Sequence, residues 1–239
     1  MKIAVHQPNF IPWIGFFNKI YLSDVFVILD DIQFPGRGSE NLVNRNYLLI
    51  NRSRKFLTIP IEQHKRKAKI NEIQISWTAP WQQKFLKTVE FNYCKAQHYH
   101  EVASLLELIA SLKDSSLFRF NLTIINLICD FLSLDDKRVV LSSDLKVNSQ
   151  ASERLRDLIL SLNGDTYICG TGSSSYLNEK IFEESGINIV FQNNNYNYPS
   201  FESAEANPIN FSILHSLMHL GKEKTRSMLI ESHFHSKWD

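Results

Sequence analysis

Residues Lys2 to Phe34 read KIAVHQPNFIPWIGFFNKIYLSDVFVILDDIQF, and this opening segment restricts the fold more than any other part of the chain. A short apolar strand, Ile3 to Val5, breaks into the polar, proline-bearing turn His6-Gln7-Pro8-Asn9. A helix rich in aromatic residues follows, starting near Pro12 or Trp13. A second apolar strand, Val25 to Leu29, then ends in Asp30-Asp31-Ile32-Gln33. The segment is a β-turn-α-β unit whose two strands both finish in side chains able to carry chemistry. In open α/β sheets, ligands bind beyond the carboxyl ends of the strands. The segment therefore marks a site before it marks a substrate.

Further along, residues 46–50 and 56–61 read as two strands around the polar turn Asn51-Arg52-Ser53-Arg54. Ile70 to Ile75 reads as another short strand. Residues 80–132 show apolar stripes at helical spacing throughout. Trp81, Phe85, Val89 and Tyr93 form one stripe. Val102, Leu105, Leu106 and Ile109 form a second, and Leu122, Ile125, Ile128 and Cys129 a third. Val139 to Leu141 is a strand, and Ala151 to Leu162 is an amphipathic helix capped by Ser149 and closed by Asn163-Gly164. Thr166 to Cys169, a Gly/Ser loop, a helix from Tyr176 to Glu184 and a strand from Ile187 to Phe191 repeat the opening architecture. Residues 192–210 read as a long loop. Phe211 to Leu220 is a helix stopped by Gly221, and His233 and His235 fall in a frayed tail. Strands alternating with helices predict an α/β fold: a mainly parallel sheet flanked by helices, in a single domain over 1–239, with a helical insertion at about 80–132.

The apolar fraction of 44% places the chain among globular proteins rather than disordered ones. No apolar run is long enough to span a bilayer, and the polar turn at His6 cuts the first apolar stretch too early for a signal peptide. The expected compartment is the cytoplasm. Cys94, Cys129 and Cys169 are too widely spaced for a disulfide framework or a zinc site. A net charge of +1 argues against nucleic-acid binding by the chain as a whole. Charge is nevertheless uneven: residues 36–70 hold nine basic side chains against two acidic ones. That segment is either a solvated basic loop or a contact for phosphate or a polyanion.

The candidate site residues follow from this layout. His6 leaves a buried strand and enters a rigid turn with Gln7 and Asn9. It reads as a base, acid or hydrogen-bond donor, or as a satisfied core residue. Asp30 and Asp31 end the second strand. Alternation lets one face a cleft and leaves the other to cap the next turn. Gln33 can share the face of Asp31. Asn44-Arg45-Asn46 sets a guanidinium fork between two amides, suited to phosphate or carboxylate. Gly170-Thr171-Gly172-Ser173, between a strand and the helix opened by Tyr176, is either an anion nest or a plain connecting loop. His215 and His219 are four residues apart on one helix, without the glutamate of a zincin pattern, and read as core or cleft hydrogen bonding. No metal set is expected.

These residues carry a family resemblance. HQPNFIPWIGFFNKI, SDVFVILDDIQF, NRN and LTIPI, in that order, resemble the WbqC-like family of bacterial polysaccharide gene clusters. GDTYICGTGSSSYLNEKIFEESGINIVFQ, Tyr198-Pro199 and FSILHSLMHLG extend the resemblance over nearly the whole chain. The chain differs from the family's usual pattern at Cys169, where a serine is common, and at His215, where an aspartate is common. The resemblance implies a role in O-antigen or related surface-polysaccharide biosynthesis, with aminoacyl (glycyl) transfer to an amino sugar as its activity. Under that reading His6, Asp30 or Asp31 takes a proton from the amine. Gly170 or Gly172 stabilises the oxyanion, and Arg45 holds a nucleotide diphosphate. Gln7, Asn9, Gln33, Asn44, Asn46, Ser173, Tyr176 and His215 complete the substrate contacts. The donor would be an activated thioester or aminoacyl group, delivered by an acyl or peptidyl carrier protein that the basic segment would bind. A fainter resemblance, through Gln7-Pro8 and Gln33-Phe34, is to the pantothenate synthetase-like superfamily. It implies ATP with magnesium and a ligase or nucleotidyltransferase reaction. A non-catalytic nucleotide-sugar or carrier-binding module is the third reading.

Overall fold

The computed structural model describes residues 1–36, 41–78, 80–134, 138–170, 177–192, 196, 198, 211–232 and 234–236. The opening unit folds as read: β1 (Lys2–His6), α1 (Ile14–Leu22) and β2 (Val25–Ile28), with β1 and β2 parallel and Ile3 opposite Val25. A long excursion then separates β2 from its other partner. It contains the hairpin β3 (Arg45–Ile50) and β4 (Ser53–Thr58), then α2 (Trp81–Tyr93), α3 (Tyr99–Ser111) and α4 (Leu117–Phe131). The chain returns to the sheet as β5 (Arg138–Leu141), parallel to β2.

After α5 (Ala151–Ser161), β6 (Thr166–Cys169) pairs with the free side of β1. Beyond α6 (Glu179–Glu183), β7 (Asn188–Gln192) pairs in parallel with β6. The long α7 (Ile213–Glu231) leads to β8 (Phe234–Ser236), which closes the edge antiparallel to β7. The sheet order is β5-β2-β1-β6-β7-β8, an α/β fold with five parallel strands and one antiparallel edge. The chain builds outward from β1 in one direction, then returns to build outward in the other. The connections diverge between β1 and β6, and a crevice opens at such a reversal.

Strand alternation divides the core. Ala4, Phe26, Ile28, Ile168 and Val190 face one way, onto the apolar sides of α1, α7 and the α2–α4 group. Ile3, Val5, Val25, Val27 and Tyr167 face the other way, onto Leu158 and Ile159 of α5 and Phe182 of α6. The predicted stripes of α2 and α3 are all buried. In α4 the buried face passes through Phe120, Asn121, Ile124 and Ile128, so Leu122 and Cys129 sit at its margin.

Several local expectations are corrected. The hairpin turn is two residues long, with Asn51 at φ 52 and Arg52 at φ 58, so β4 starts at Ser53. Two successive positive φ values match the twist of the flanking strands. Ile70–Glu72 forms a 3₁₀ turn in which the Glu72 carboxylate accepts the Lys69 N–H at 2.8 Å, and only isolated bridges at Gln74 and Ile75 remain of the expected strand. Ser149 does not cap α5; its hydroxyl donates to Asp157 at 2.6 Å. Asn163, at φ 57, provides the left-handed residue after α5. Gly164 is needed for space instead, because a Cβ there would lie 2.5 Å from Ile3 Cγ1. Gly221 interrupts α7 at φ 74, and a second helical stretch follows it. The expected frayed tail contains β8, with His235 opposite Phe191; His233 lies outside the described residues. Of the helix predicted from Tyr176, α6 starts at Glu179, and most of 192–210 lies outside the described residues.

Candidate active site at the β1–β6 switch point

A cleft of about 580 Å³ opens at the carboxyl end of β1. Val5, His6, Gln7, Asn9 and Trp13 contribute to its wall from β1 and the following turn, and Lys19 from α1. Leu29 and Ile32 follow β2, and Ala151 to Leu155 supply the start of α5. The site therefore lies where the strand order reverses.

The turn after β1 is held from outside. Asn46 of β3 donates its amide to the carbonyls of Phe10 (3.0 Å) and Ile11 (2.8 Å). Asn121 of α4 donates to Pro8 O (2.8 Å) and Val43 O (2.6 Å). The Phe10 N–H donates to Leu42 O, and the Ile213 N–H to Pro12 O. The excursion between β2 and β5 thus clamps the turn that carries the site, giving the preorganisation that binding and catalysis need.

His6 packs edge-on against Trp13 and Phe16, with ring centroids 5.3 and 5.0 Å away. Its Nδ1 lies 3.0 Å from the Gln7 carbonyl. A carbonyl only accepts, so the neutral ring carries its proton on Nδ1 and keeps a lone pair on Nε2. Burial, with the Lys19 charge nearby, lowers its pKa to about 3 against the opposing pull of the Gln7 carbonyl. His6 is therefore a neutral acceptor at any physiological pH. Asn9 is buried, and its Oδ1 has no hydrogen-bond partner among the described residues.

β2 ends at Ile28, so strand alternation does not separate Asp30 from Asp31, and both carboxylates reach the Ser142 hydroxyl. Buried Asp30 accepts from Asn71 Nδ2 (3.1 Å), Ser142 Oγ (3.2 Å) and the Ser143 N–H (3.0 Å), tying β2 to the turn after β5. Asp31 accepts two bonds from Arg154 Nη2 (2.6 and 2.8 Å) and one from Ser142 Oγ (2.5 Å). Burial opposes ionisation of Asp31, but the Ser142 hydroxyl and the Arg154 guanidinium outweigh it and hold the carboxyl below its ordinary value. Neither aspartate lines the cleft. Arg154 does, so Asp31 acts on the site by orienting Arg154.

The remaining predicted residues separate. Gln7 lines the cleft beside His6. Gln33 bridges to Lys69 and donates to Arg66 O at 3.4 Å, on the surface. Asn44 donates to Ile59 O (3.1 Å) and accepts from Asn41, and Asn46 is the clamp described above. Arg45 donates to Asn41 O (3.0 Å) and stacks over Phe56 on the hairpin, outside the cleft lining. His215, on α7, is buried, and its Nδ1 shares a hydrogen bond with the hydroxyl of Tyr93 on α2 at 3.1 Å. Gly170 directly follows β6 and lies against Lys19. Gly172, Ser173 and Tyr176 lie outside the described residues.

Lys19 is the functional candidate that the sequence reading passed over. It is 5% exposed, on a helix whose residues Ile14 to Ile20 are all buried. Burial pushes its ammonium down to about 8, with Cys169 pulling weakly the other way. The signal was present: a lysine in IGFFNKIYL has no polar face on which to reach solvent.

The chain is an α/β protein with a cleft at the point where its strand order reverses. The chain belongs to the WbqC-like protein family, whose family model matches residues 7–227, from the cleft turn through most of α7. It is also similar to the uncharacterized protein Rv1507c of Mycobacterium tuberculosis, 31% identical over 192 residues that cover 80% of this chain and 81% of that one. No solved structure matches. Among the described residues, no helix is long and apolar enough to cross a membrane, and no cluster of potential metal ligands is present.

Proposed function

We propose that the protein is an acyl or aminoacyl transferase, acting on the amine of a nucleotide-linked amino sugar in surface-polysaccharide biosynthesis. The observation that carries this reading is a neutral His6, lone pair on Nε2, in a preorganised cleft at the β1–β6 switch point. The acceptor amine attacks the carbonyl carbon of an acyl thioester. As the C–N bond forms, the nitrogen loses its proton to Nε2. The C–S bond then breaks, and the proton passes to the departing thiolate, restoring neutral His6. Burial keeps the imidazole neutral and makes it a weak base, so Nε2 first accepts a hydrogen bond from the amine and takes the proton only as C–N bond formation makes that nitrogen acidic. Backbone N–H groups at the end of β6, near Gly170, are the candidates to face the carbonyl oxygen.

A protein-borne donor has its own support. Arg52, Arg54 and Lys55 of the hairpin, and Lys65, Arg66 and Lys67 beyond it, are all exposed. An acidic carrier protein is the partner that these exposed basic side chains would suit.

The test is product detection by mass spectrometry, with UDP- and dTDP-linked amino sugars, a glycyl thioester as donor, and ATP with magnesium in parallel. His6→Gln should lower turnover roughly 100-fold or more, the usual contribution of a positioned base. Full turnover by His6→Gln contradicts the mechanism. A product formed only when ATP is consumed contradicts the thioester reading and favours a ligase.

A further inference from the structure

We propose that Lys19, beside Gly170, forms an anion subsite in the cleft, and that its ligand is the diphosphate of the acceptor nucleotide. The inference rests on the transferase reading for the identity of the nucleotide. The subsite itself rests on the geometry of the cleft.

Lys19 lines the cleft, yet among the described residues no carboxylate lies within ion-pair distance of its Nζ. A buried cation without a counter-charge is costly, and sites of this kind persist where a ligand supplies the missing charge. Arg154, the other cation on the wall, is already neutralised by Asp31. Gly170 leaves space for the ammonium: a Cβ at that position would lie 3.1 Å from Nζ and 3.5 Å from Cε. Asn9 is 4% exposed, lines the same cleft, and keeps a buried Oδ1 without a partner among the described residues. The cleft therefore presents a positive charge for an anion, with an acceptor at His6 for an N–H or O–H group beside it. An anionic phosphate carrying a hydroxyl- or amine-bearing sugar matches that pattern. A lysine ammonium, as a point charge, suits a phosphate oxygen without demanding a planar partner.

The titratable groups around Lys19 are His6 on β1, Tyr167 and Cys169 on β6, and the Arg154–Asp31 pair from α5 and the end of β2. His6 is neutral across the working range and Asp31 is ionised, so the pH response belongs to Lys19 and to the Cys169 thiol that acts on it. The Lys19 ammonium titrates near 8 in the empty protein, so anion affinity should fall as pH rises through that value. A bound anion favours the charged form, so binding near pH 8 should take up protons.

Calorimetry with inorganic pyrophosphate and with UDP tests the subsite without any acyl donor. Lys19→Met should weaken both by about tenfold or more, and Lys19→Arg should retain part of the affinity. Gly170→Ala should weaken both as well. Unliganded Lys19→Met should melt at or above the wild-type temperature, because it removes a buried charge; a purely structural lysine would lower it. Heats measured in buffers of different ionisation enthalpy should show proton uptake at pH 8 in the wild type and none in Lys19→Met. UDP binding tighter than pyrophosphate assigns a nucleotide as the source of the diphosphate, and equal affinity assigns free diphosphate. Unchanged affinity in Lys19→Met, or no binding of either anion by the wild type, overturns the subsite. Lys19-dependent binding without any acyl transfer would remove the transferase reading alone, and transfer that survives Lys19→Met would remove the subsite alone.

Discussion

At Ile11 the backbone adopts φ 37, a conformation that branched side chains avoid, five residues beyond His6. Such a residue costs roughly 1–3 kcal/mol and persists only where its surroundings fix it. Here the Asn46 amide holds the carbonyls of Phe10 and Ile11 together. Asn46→Ala would leave both buried carbonyls without that donor. It should destabilise the protein by about 2–3 kcal/mol in urea unfolding and lower turnover more than its stability loss explains. Asp31 gives a prediction with a pH signature. Its folded carboxyl titrates below its unfolded value, so its contribution is present above the unfolded pKa and is lost as pH falls through the folded one. Asp31→Asn should therefore be less stable than wild type at pH 7, by about 2 kcal/mol for a partly buried pair, and the gap should narrow as pH falls below the ordinary carboxyl range. A gap that persists in acid would show that the Arg154 pair contributes nothing. In the sequence, both aspartates were visible as strand-end carboxylates. Their division of labour was not, because the deciding partners Ser142 and Arg154 are more than 100 residues away.

Among the elements, those whose identity is written in local periodicity were legible. The β1-α1-β2 unit and the stripes of α2 and α3 needed only the spacing of apolar residues. The elements that failed depend on a partner that spacing does not reveal. Ile70–Glu72 has a strand's composition but turns where Glu72 bonds back to Lys69. The Asn44-Arg45-Asn46 run reads as an anion site, yet both amides are occupied by backbone carbonyls brought from elsewhere. The β3–β4 turn offers a direct check. Arg52 occupies φ 58, where glycine sits without steric cost. Arg52→Gly should raise stability by about 0.5–1 kcal/mol, seen as a higher urea midpoint at unchanged slope. The basic stretch that follows is tested by salt. Exchanging Lys65, Arg66 and Lys67 for glutamate should weaken carrier-protein binding more at low salt than at high salt, and equal binding at both would count against that surface.

Across the whole molecule, the order β5-β2-β1-β6-β7-β8 sets where a ligand can sit. Alternating strands and helices implied a parallel sheet, but the sequence carries no mark of which side of β1 each later strand joins. Two histidines, His215 buried on α7 and His6 half-buried at the cleft, also couple the fold to acid. His215, like His6, is held to about 3 from an ordinary 6.5, by burial first and by the neighbouring His219 second. As pH falls below about 6.5, the unfolded chain takes up these protons before the folded one does. Stability should therefore decline between about pH 6.5 and 3, by up to ~1.4 kcal/mol per pH unit for His215. His215→Phe should flatten that slope in acid unfolding followed by circular dichroism. The central claim, that the β1–β6 switch point is the acceptor site, is tested most directly by amide chemical-shift mapping with a UDP-linked amino sugar. Perturbations should cluster at Val5 to Asn9, Lys19, Gly170 and the start of α5. Perturbations confined to Arg45 and the β3–β4 hairpin, with the cleft silent, would contradict it.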